Sequence, residues 1–356
     1  MTRRALELAA KGIGQVSPSP LVGCVIVAEN GETIGEGTYI YENVTHAEVL
    51  ALHQAKERAK GATAYVSLEP HAHHGRTLPC TEALIKAGIR RVVCPMEDPN
   101  PLVSGKGFEQ LRASGVEVVM GILRGEAMRL NEKFCVWHQK NRPFVHLKLA
   151  MSLDGRISLK DSVSTTLSGK ESANRVQDLR HEHDAILVGG NTAFVDNPSL
   201  TDRSGKTRRR KLARIVLDNR LRISLDSTLV KTANDAPTIV FSDSDDVEKI
   251  QKLENAGVEV VRLNARNLHH VLRELKTRNL QSVLVEGGTE VAGAFVDPKL
   301  VDKLSFIVVP IVIGGKDAPL AVGGNGANSL ENAMHLRDLE IIKYGDDYEF
   351  TGYPTI

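Results

Sequence analysis

Short apolar runs separated by amphipathic stretches recur along the whole chain. In the first part, Leu21–Val27, Ala64–Leu68, Arg91–Cys94 and Val116–Val119 read as strands. Residues 2–12, 46–60, 81–87, 107–113 and 126–138 read as helices, with Ala47, Leu50, Ala51 and Ala55 on one helical face. This alternation predicts a sheet flanked by helices. The stretch Lys140 to Pro143 is the natural boundary, because proline ends a preceding helix and starts extended backbone. Beyond it the α/β style continues without an internal repeat. Residues 144–150, 185–188, 214–217, 237–241, 258–263, 282–286 and 304–313 read as strands. Residues 170–180, 247–256 and 268–277 read as helices, with a short one between the last two strands. Two α/β domains are expected, 1–142 and 143–356.

Composition narrows the class. Of 356 residues 42% are hydrophobic and 25% charged, which excludes wholesale disorder. Only 4% are aromatic, so the cores must be built from Val, Leu, Ile and Ala. The 45 Lys+Arg against 44 Asp+Glu leave a net charge of +1, which argues against a nucleic-acid coat or a membrane-surface protein. No apolar run reaches the roughly 20 residues of a membrane span; Phe306–Ile313 is short and broken by Pro310. The amphipathic N-terminus carries Glu7 and lacks the apolar block of a signal peptide. Cys24, Cys80, Cys94 and Cys135 make no disulfide framework, which points to a reducing, cytoplasmic compartment. Cys24 and Cys94 read as core thiols within strands, and Cys135 beside Trp137 as packing. The basic run at 206–211 (KTRRRK) has no interleaved aromatics and reads as a solvated loop, with a phosphate contact as the alternative.

Two segments of the first half carry chemistry. His46-Ala47-Glu48 opens a helix, and 69–80 joins a strand to the next helix through Pro70, His71, Pro79 and Cys80. A zinc deaminase uses H-x-E followed by P-C, with the Glu as acid/base and not as ligand. Three ligands leave the fourth zinc position for water, whose pKa the metal lowers towards 7. A helix start at Cys80 is expected to favour its thiolate.

The stretches SPSPLVGCVIV (17–27), HAEV (46–49), LEPHAHHGRTLPCTEALIKAG (68–88) and EDPNPLVSGKGFEQL (97–111) closely resemble the bifunctional riboflavin-biosynthesis deaminase–reductases. The Gly-Arg-Thr segment between the second and third ligands separates this family from cytidine and tRNA adenosine deaminases. The resemblance implies an N-terminal cytidine-deaminase-like three-layer α/β/α fold and a C-terminal dihydrofolate-reductase-like α/β fold. It implies zinc held by His46, His71 and Cys80, with Glu48 catalytic. The chain departs from the family pattern at His71, where Cys is expected, and at Ser19, where Asn is expected. Imidazole is a legitimate zinc ligand, and His73 and His74 are the alternatives to His71. Secondary substrate candidates here are Ser19, Arg76, Asp98 and Asn100.

In the second half, 148–155 (KLAMSLDG) resembles the opening strand and turn of the family's reductase domain. Residues 184–192 (DAILVGGNT) and 283–288 (VLVEGG) each run a strand into a glycine pair. A strand, a glycine pair and a helix start form a ready phosphate site, with Thr289 as the expected N-cap. No G-x-G-x-x-G follows a first strand, which disfavours a Rossmann dehydrogenase. By resemblance Ala150, Thr192, Asp196, Asn219, Gly287, Gly288, Thr289 and Ala294 would hold NADPH. Ser164, Arg180, Leu200, Arg203 and Glu286 would hold the phosphoribosylamino-pyrimidine, the two arginines suiting its phosphate. Thr166 stands where the family has Trp, and Lys148 is a candidate proton donor.

The expectation is therefore a zinc- and NADPH-dependent enzyme that deaminates a small pyrimidine and then reduces its ribosyl group to ribityl. It would bind neither nucleic acid nor membrane, and would form a homo-oligomer through the reductase domain. Two rivals stand beside it: a reductase whose deaminase-like domain is silenced by the His71 and Ser19 departures, and a nucleic-acid deaminase using the basic loop.

Overall fold

The computed structural model describes residues 1–74, 78–160 and 163–355. Two compact units emerge, residues 1–142 with 207–210, and residues 143–206 with 211–356.

The first unit runs α1 (Thr2–Ala10), β1 (Gly23–Val27), β2 (Thr33–Thr38), α2 (Ala47–Ala55), β3 (Thr63–Val66), α3 (Cys80–Lys86) and β4 (Arg91–Cys94). It continues with α4 (Lys106–Ala113), β5 (Glu117–Met120), α5 (Arg124–Leu130) and α6 (Glu132–Gln139). Its five-stranded sheet has the order β2-β1-β3-β4-β5. β1 is antiparallel to β2 and β3, and the β3–β4–β5 half is parallel. Alternation along β1 sorts its side chains between the two faces. Cys24 and Ile26 pack with Ala47, Ala51 and Ala55 of α2, Leu84 of α3, and Phe108 and Leu111 of α4. Val25 and Val27 meet Ala5 and Leu8 of α1. Leu6 of α1 also joins Ala127 of α5 and Phe134 and Cys135 of α6. Helices on both faces make this a three-layer α/β/α fold.

Several boundaries differ from the sequence pattern, each for a local reason. The first strand starts at Gly23 because the backbone N–H and carbonyl of Leu21 are both bonded by the Asn131 side chain. The stretch 46–60 ends its α-helix at Ala55, where Lys56 takes a left-handed φ of 50° and a short 3-10 turn follows. The expected helix 126–138 breaks at Asn131 into α5 and α6. Strand β2 escaped the pattern, since Gly35 and Gly37 remove the apolar alternation. An ideal Cβ at Gly35 or Gly37 would lie 2.1 or 2.0 Å from a carbonyl oxygen of α2, so only glycine lets the helix sit this close. The basic run is not freely solvated either. Within this first unit Arg209 lies 3.4 Å over the Tyr41 ring and donates to the Ser17 carbonyl and the Glu42 carboxylate.

The second unit runs β6 (Phe144–Ser152), α7 (Lys170–Glu182), β7 (Ala185–Gly189), α8 (Gly190–Val195), β8 (Ala213–Leu217), α9 (Thr228–Lys231) and β9 (Thr238–Ser242). It continues with α10 (Val247–Asn255), β10 (Glu259–Arg262), α11 (Leu268–Thr277), β11 (Ser282–Val285) and α12 (Thr289–Val296). β12 (Lys303–Val309), β13 (Leu336–Tyr344) and β14 (Asp347–Pro354) close it. The nine-stranded sheet has the order β10-β9-β8-β7-β11-β6-β12-β14-β13, parallel except where β14 pairs with its neighbours. Leu187, Ile215 and Phe241 pack on Leu268, Leu272 and Leu275 of α11 and on Phe295 of α12. Ile186, Val216 and Val240 face Leu229 of α9 and Ile250 and Leu253 of α10. The central strands β7, β8, β9 and β11 are buried on both faces, as in a covered parallel sheet, and so read as unbroken apolar runs. The hairpin β13–β14 escaped that signal because β13 is exposed along almost its whole length.

Candidate active sites

In the first unit the ligating atoms of His46, His71 and Cys80 lie within 4.8 Å of one another. His46 is the residue before α2, and Glu48 sits in that helix's first turn. Cys80 is the first residue of α3, and His71 follows the end of the β3 connection. The Thr81 N–H bonds the His71 carbonyl at 3.3 Å, which ties the two ligand segments together. His46 Nδ1 is 3.4 Å from Cys80 Sγ, and the His46 and His71 rings are 4.5 Å apart.

The neighbouring histidines separate clearly. His74 is at the surface, where Nε2 pairs with Glu82 at 3.1 Å. The exposed His73 stacks edgewise on His71 at 5.2 Å between ring centroids. Only His71 of the three stands in the cluster, among the described residues. Burial, then the charge of His46, pulls the His71 pKa down to about 4, which keeps its ring neutral as ligation demands. Burial pushes the Cys80 thiol well up, and the Glu48 carboxylate adds to this. This burial opposes the helix start, which was expected to favour the Cys80 thiolate. A cation bound in the cluster would act in the same direction as the helix start and favour the thiolate.

Glu48 is 2% exposed, and burial raises its carboxyl above the ordinary range. Its Oε2 is buried without a hydrogen-bond partner. An orphaned carboxylate oxygen beside two imidazoles and a thiol is a donor set that fits zinc with a reacting polar group next to it.

Glu69, two residues before His71, went unnoticed in the sequence. Its buried carboxylate accepts from the N–H groups of Asp98 (2.9 Å), Gly105 (3.0 Å) and Gly107 (2.8 Å). One side chain thereby pins the loop that carries Asp98 and Asn100 beside the strand leading to His71. Asp98 accepts from the Asn100 N–H and Asn100 from the Leu102 N–H, so both side chains shape their own loop. Ser19 follows the cis Ser17–Pro18 bond and donates its N–H to the Val16 carbonyl. Arg76 lies outside the described residues.

In the second unit the carboxyl ends of parallel strands bring the glycine pairs together, the usual ligand end of such a sheet. Gly190 follows β7, and a Cβ there would meet Asp218 at 2.8 Å. Gly287, after β11, would clash with Val291 of α12 at 2.5 Å, while Gly288 lies near Thr192 Oγ1 and is otherwise open. This cradle, which side chains would fill, suits the close approach of a dinucleotide. Thr289 is the first residue of α12 and not its N-cap. Gly288 takes the cap position, and the Thr289 hydroxyl donates to the Leu320 carbonyl. Asn219 Oδ1 accepts from the Ala265 N–H at 2.6 Å and its Nδ2 donates to Asn264. Ala150 is in β6 opposite Ile307, Asp196 ends α8 at the surface, and Ala294 is an exposed residue of α12. Ser164 and Thr166 are exposed.

Arg180, Glu286 and Lys148 form a buried ionic cluster. Arg180 donates in a fork to Glu286 at 2.8 and 3.0 Å and to the Thr201 carbonyl at 3.1 Å. Lys148 Nζ is 4.0 Å from Glu286. Burial alone would raise the Glu286 carboxyl, but Arg180 and Lys148 outweigh it and hold it below its usual value. Burial pulls Lys148 below the usual lysine range, with Glu286 acting against that shift. Leu200 is buried in a left-handed conformation, φ 49°, and Arg203 bends back onto Ser199 and Thr201.

The zinc-type trio with its buried glutamate defines a hydrolytic deaminase unit, and the second unit supplies a sheet end shaped for a dinucleotide. The fold and sites are those of a two-domain deaminase–reductase. Residues 1–96 match the cytidine and deoxycytidylate deaminase zinc-binding region, and residues 143–350 match the RibD C-terminal domain. The riboflavin biosynthesis protein RibD of Actinobacillus pleuropneumoniae is 41% identical over 97% of this chain and 92% of its own. The solved structure of Acinetobacter baumannii RibD superposes with a TM-score of 0.89 at 34% identity, covering 100% of this chain and 98% of that one. A Thermotoga maritima structure titled a diaminohydroxyphosphoribosylaminopyrimidine deaminase/5-amino-6-(5-phosphoribosylamino)uracil reductase gives 0.87 at 34% identity, covering 99% and 97%. The chain belongs to the RibD family of bifunctional deaminase–reductases of riboflavin biosynthesis.

Proposed function

We propose that both sites work in this chain, with the domain boundary at 142/143 and the following division of labour. The first domain takes the diaminohydroxyphosphoribosylaminopyrimidine, and water replaces a ring amino group, which leaves as ammonia. His46, His71 and Cys80 hold zinc, which when bound supplies the Lewis acid that makes water nucleophilic near neutral pH. Glu48 accepts the proton from the attacking water at Oε2 and delivers it to the departing nitrogen. The single observation that carries this reading is the buried, unpartnered Glu48 Oε2 beside three ligand atoms within 4.8 Å. Glu69 holds the 98–107 loop, with Ser19, Arg76, Asp98 and Asn100 as secondary contacts to the pyrimidine.

The second domain binds NADPH at Ala150, Thr192, Asp196, Asn219, Gly287, Gly288, Thr289 and Ala294; the cofactor supplies hydride. Ser164, Arg180, Leu200, Arg203 and Glu286 hold the phosphoribosylamino-uracil, with Arg180 also fixing Glu286 and Lys148 placed to move a proton. Thr166 takes the place of a larger side chain at the same edge. Self-association through this domain is supported by the exposed Leu339, Ile341 and Ile342 of β13. Among the described residues no helix is long and apolar enough to cross a membrane. We assign the enzyme to the cytoplasm and give it no nucleic-acid partner, since Arg209 of the basic run is engaged within the first unit.

Zinc stoichiometry of the purified protein and of His71→Ala tests the metal assignment. One zinc per chain in the parent and near none in the variant is expected. Full occupancy in the variant would remove His71 from the ligand set in favour of His73 or His74, whereas a parent protein that binds no zinc would leave the reductase-only reading.

A further inference from the structure

One face of α7 holds down three consecutive loop residues. Gln177, Arg180 and His181 stand at i, i+3 and i+4, the spacing that puts side chains on one helical face. Gln177 Oε1 accepts from the Arg203 N–H at 2.8 Å, Arg180 donates to the Thr201 carbonyl at 3.1 Å, and His181 Nδ1 lies 3.2 Å from Asp202 Oδ2. The loop they secure contains the left-handed residues Asn197 and Leu200, a backbone course that needs outside support. Asp202 also accepts from the Ser204 N–H at 2.9 Å, closing the turn behind Arg203.

The His181–Asp202 pair is the part of this arrangement that calls for explanation. A carboxylate next to an arginine that receives a phosphate works against binding if it faces the same solvent. Here the side chain of Asp202 is 6% exposed and that of His181 5%, so the pair lies inside the loop. The imidazole draws the carboxylate inward, while Arg203 stays exposed, its guanidinium lying along the loop on Ser199 Oγ and Thr201 Oγ1. The two remaining bonds are to backbone atoms and set the height of the loop, whereas the bond from His181 is to a side chain and acts on its rotation.

We infer that His181 is a positioning residue for the reductase reaction, anchoring Asp202 so that Arg203 is presented to the substrate's phosphate. This rests on the reading of Arg203 as a phosphate contact. The anchor acts on substrate binding and leaves hydride transfer alone. Its loss is expected to raise KM for the phosphoribosylamino-uracil about tenfold with kcat within about twofold.

The test uses the full chain and three variants, assayed by NADPH oxidation with the deaminated substrate. His181→Ala is expected to show the KM rise. His181→Asn, whose amide nitrogen takes the place of Nδ1, is expected to restore KM to within about threefold. The deaminase rate of the same chain and the Kd for NADPH report folding of each unit, and both should be unchanged. If His181→Ala does not fold, Asp202→Asn removes the charge from the pair without altering its shape and is expected to raise KM in the same direction. An unaltered KM in the folded alanine variant, or a fall in kcat with KM constant, overturns the inference. Arg203→Ala separates this from the underlying reading. If it leaves KM unchanged, the phosphate assignment fails; if it raises KM while His181→Ala does not, only the anchor fails.

Discussion

Replacing Gly37 by alanine tests how the deaminase cluster is positioned. The added Cβ would lie 2.0 Å from the Ala47 carbonyl oxygen, 2.9 Å from its carbon and 3.0 Å from Leu50 Cβ. Ordinary contact begins near 3.4 Å, so β2 or the start of α2 must give by more than an ångström. The obstacle is backbone, which has no rotamer to escape into. That first turn follows His46 and carries Glu48, whereas His71 and Cys80 come from other elements, so the shift is relative to the rest of the cluster. Overpacking of this kind costs about 1–3 kcal/mol, and a misplacement of about 1 Å at reacting groups costs on the order of a hundredfold in rate. The expected outcome is an approximately hundredfold fall in deaminase kcat and a lower unfolding temperature for the first unit. Reduction of the deaminated substrate should be untouched. Gly125→Ala is the control, since its Cβ would meet nothing within 4 Å and an alanine in α5 should stabilise slightly. A Gly37→Ala protein with the parent's deaminase rate would refute the claim that this close approach positions Glu48.

Three further outcomes follow from buried charge. Glu69→Ala leaves three N–H groups without their acceptor and should cost about 3–5 kcal/mol in urea unfolding of the first unit, with a raised deaminase KM; an unchanged midpoint would show the loop to be held otherwise. Burial raises the Asp98 pKa from 3.8 to about 6, the Asn100 N–H opposing this and Glu69 adding to it. The folded state thus favours the protonated form, so this group's contribution is fully present below about pH 4 and is lost as pH rises through 6, by at most about 3 kcal/mol. Asp98→Asn should flatten the stability profile over that window, and an unchanged slope would contradict the assignment. Glu286→Gln leaves Lys148 and Arg180 as adjacent buried cations without their counter-charge. Reductase activity should fall at least about a hundredfold and stability by about 3–5 kcal/mol, with the deaminase rate as internal control.

Much of this was legible because the chemistry is local in sequence. His46 and Glu48 flank a helix start, His71 and Cys80 bracket one connection, and the glycine pairs end apolar runs. The fold class was legible for the same reason, since buried parallel strands such as Ala185–Gly189 and Ser282–Val285 announce themselves. What stayed hidden depends on distant partners. Nothing near Asn131 says that it bonds Leu21, nor does anything near Glu69 say that it binds three amides of a later loop. Thr289 has the residue type of an N-cap, yet its hydroxyl is taken by Leu320 and glycine serves instead. In the exposed strand β13 a register shift between Arg337 and Glu340 interrupts the alternation of its apolar residues, and the glycines of β2 erase theirs.

The central claim is that one chain performs deamination through the His46, His71 and Cys80 cluster and then reduction. The most direct measurement is NADPH oxidation by the zinc-loaded protein given only the diaminopyrimidine, with and without a strong chelator. Oxidation that the chelator abolishes, and that the deaminated intermediate restores, is the expected result. Oxidation with the intermediate alone, and none with the diaminopyrimidine even when zinc is bound, would contradict it and leave the first domain a silent scaffold.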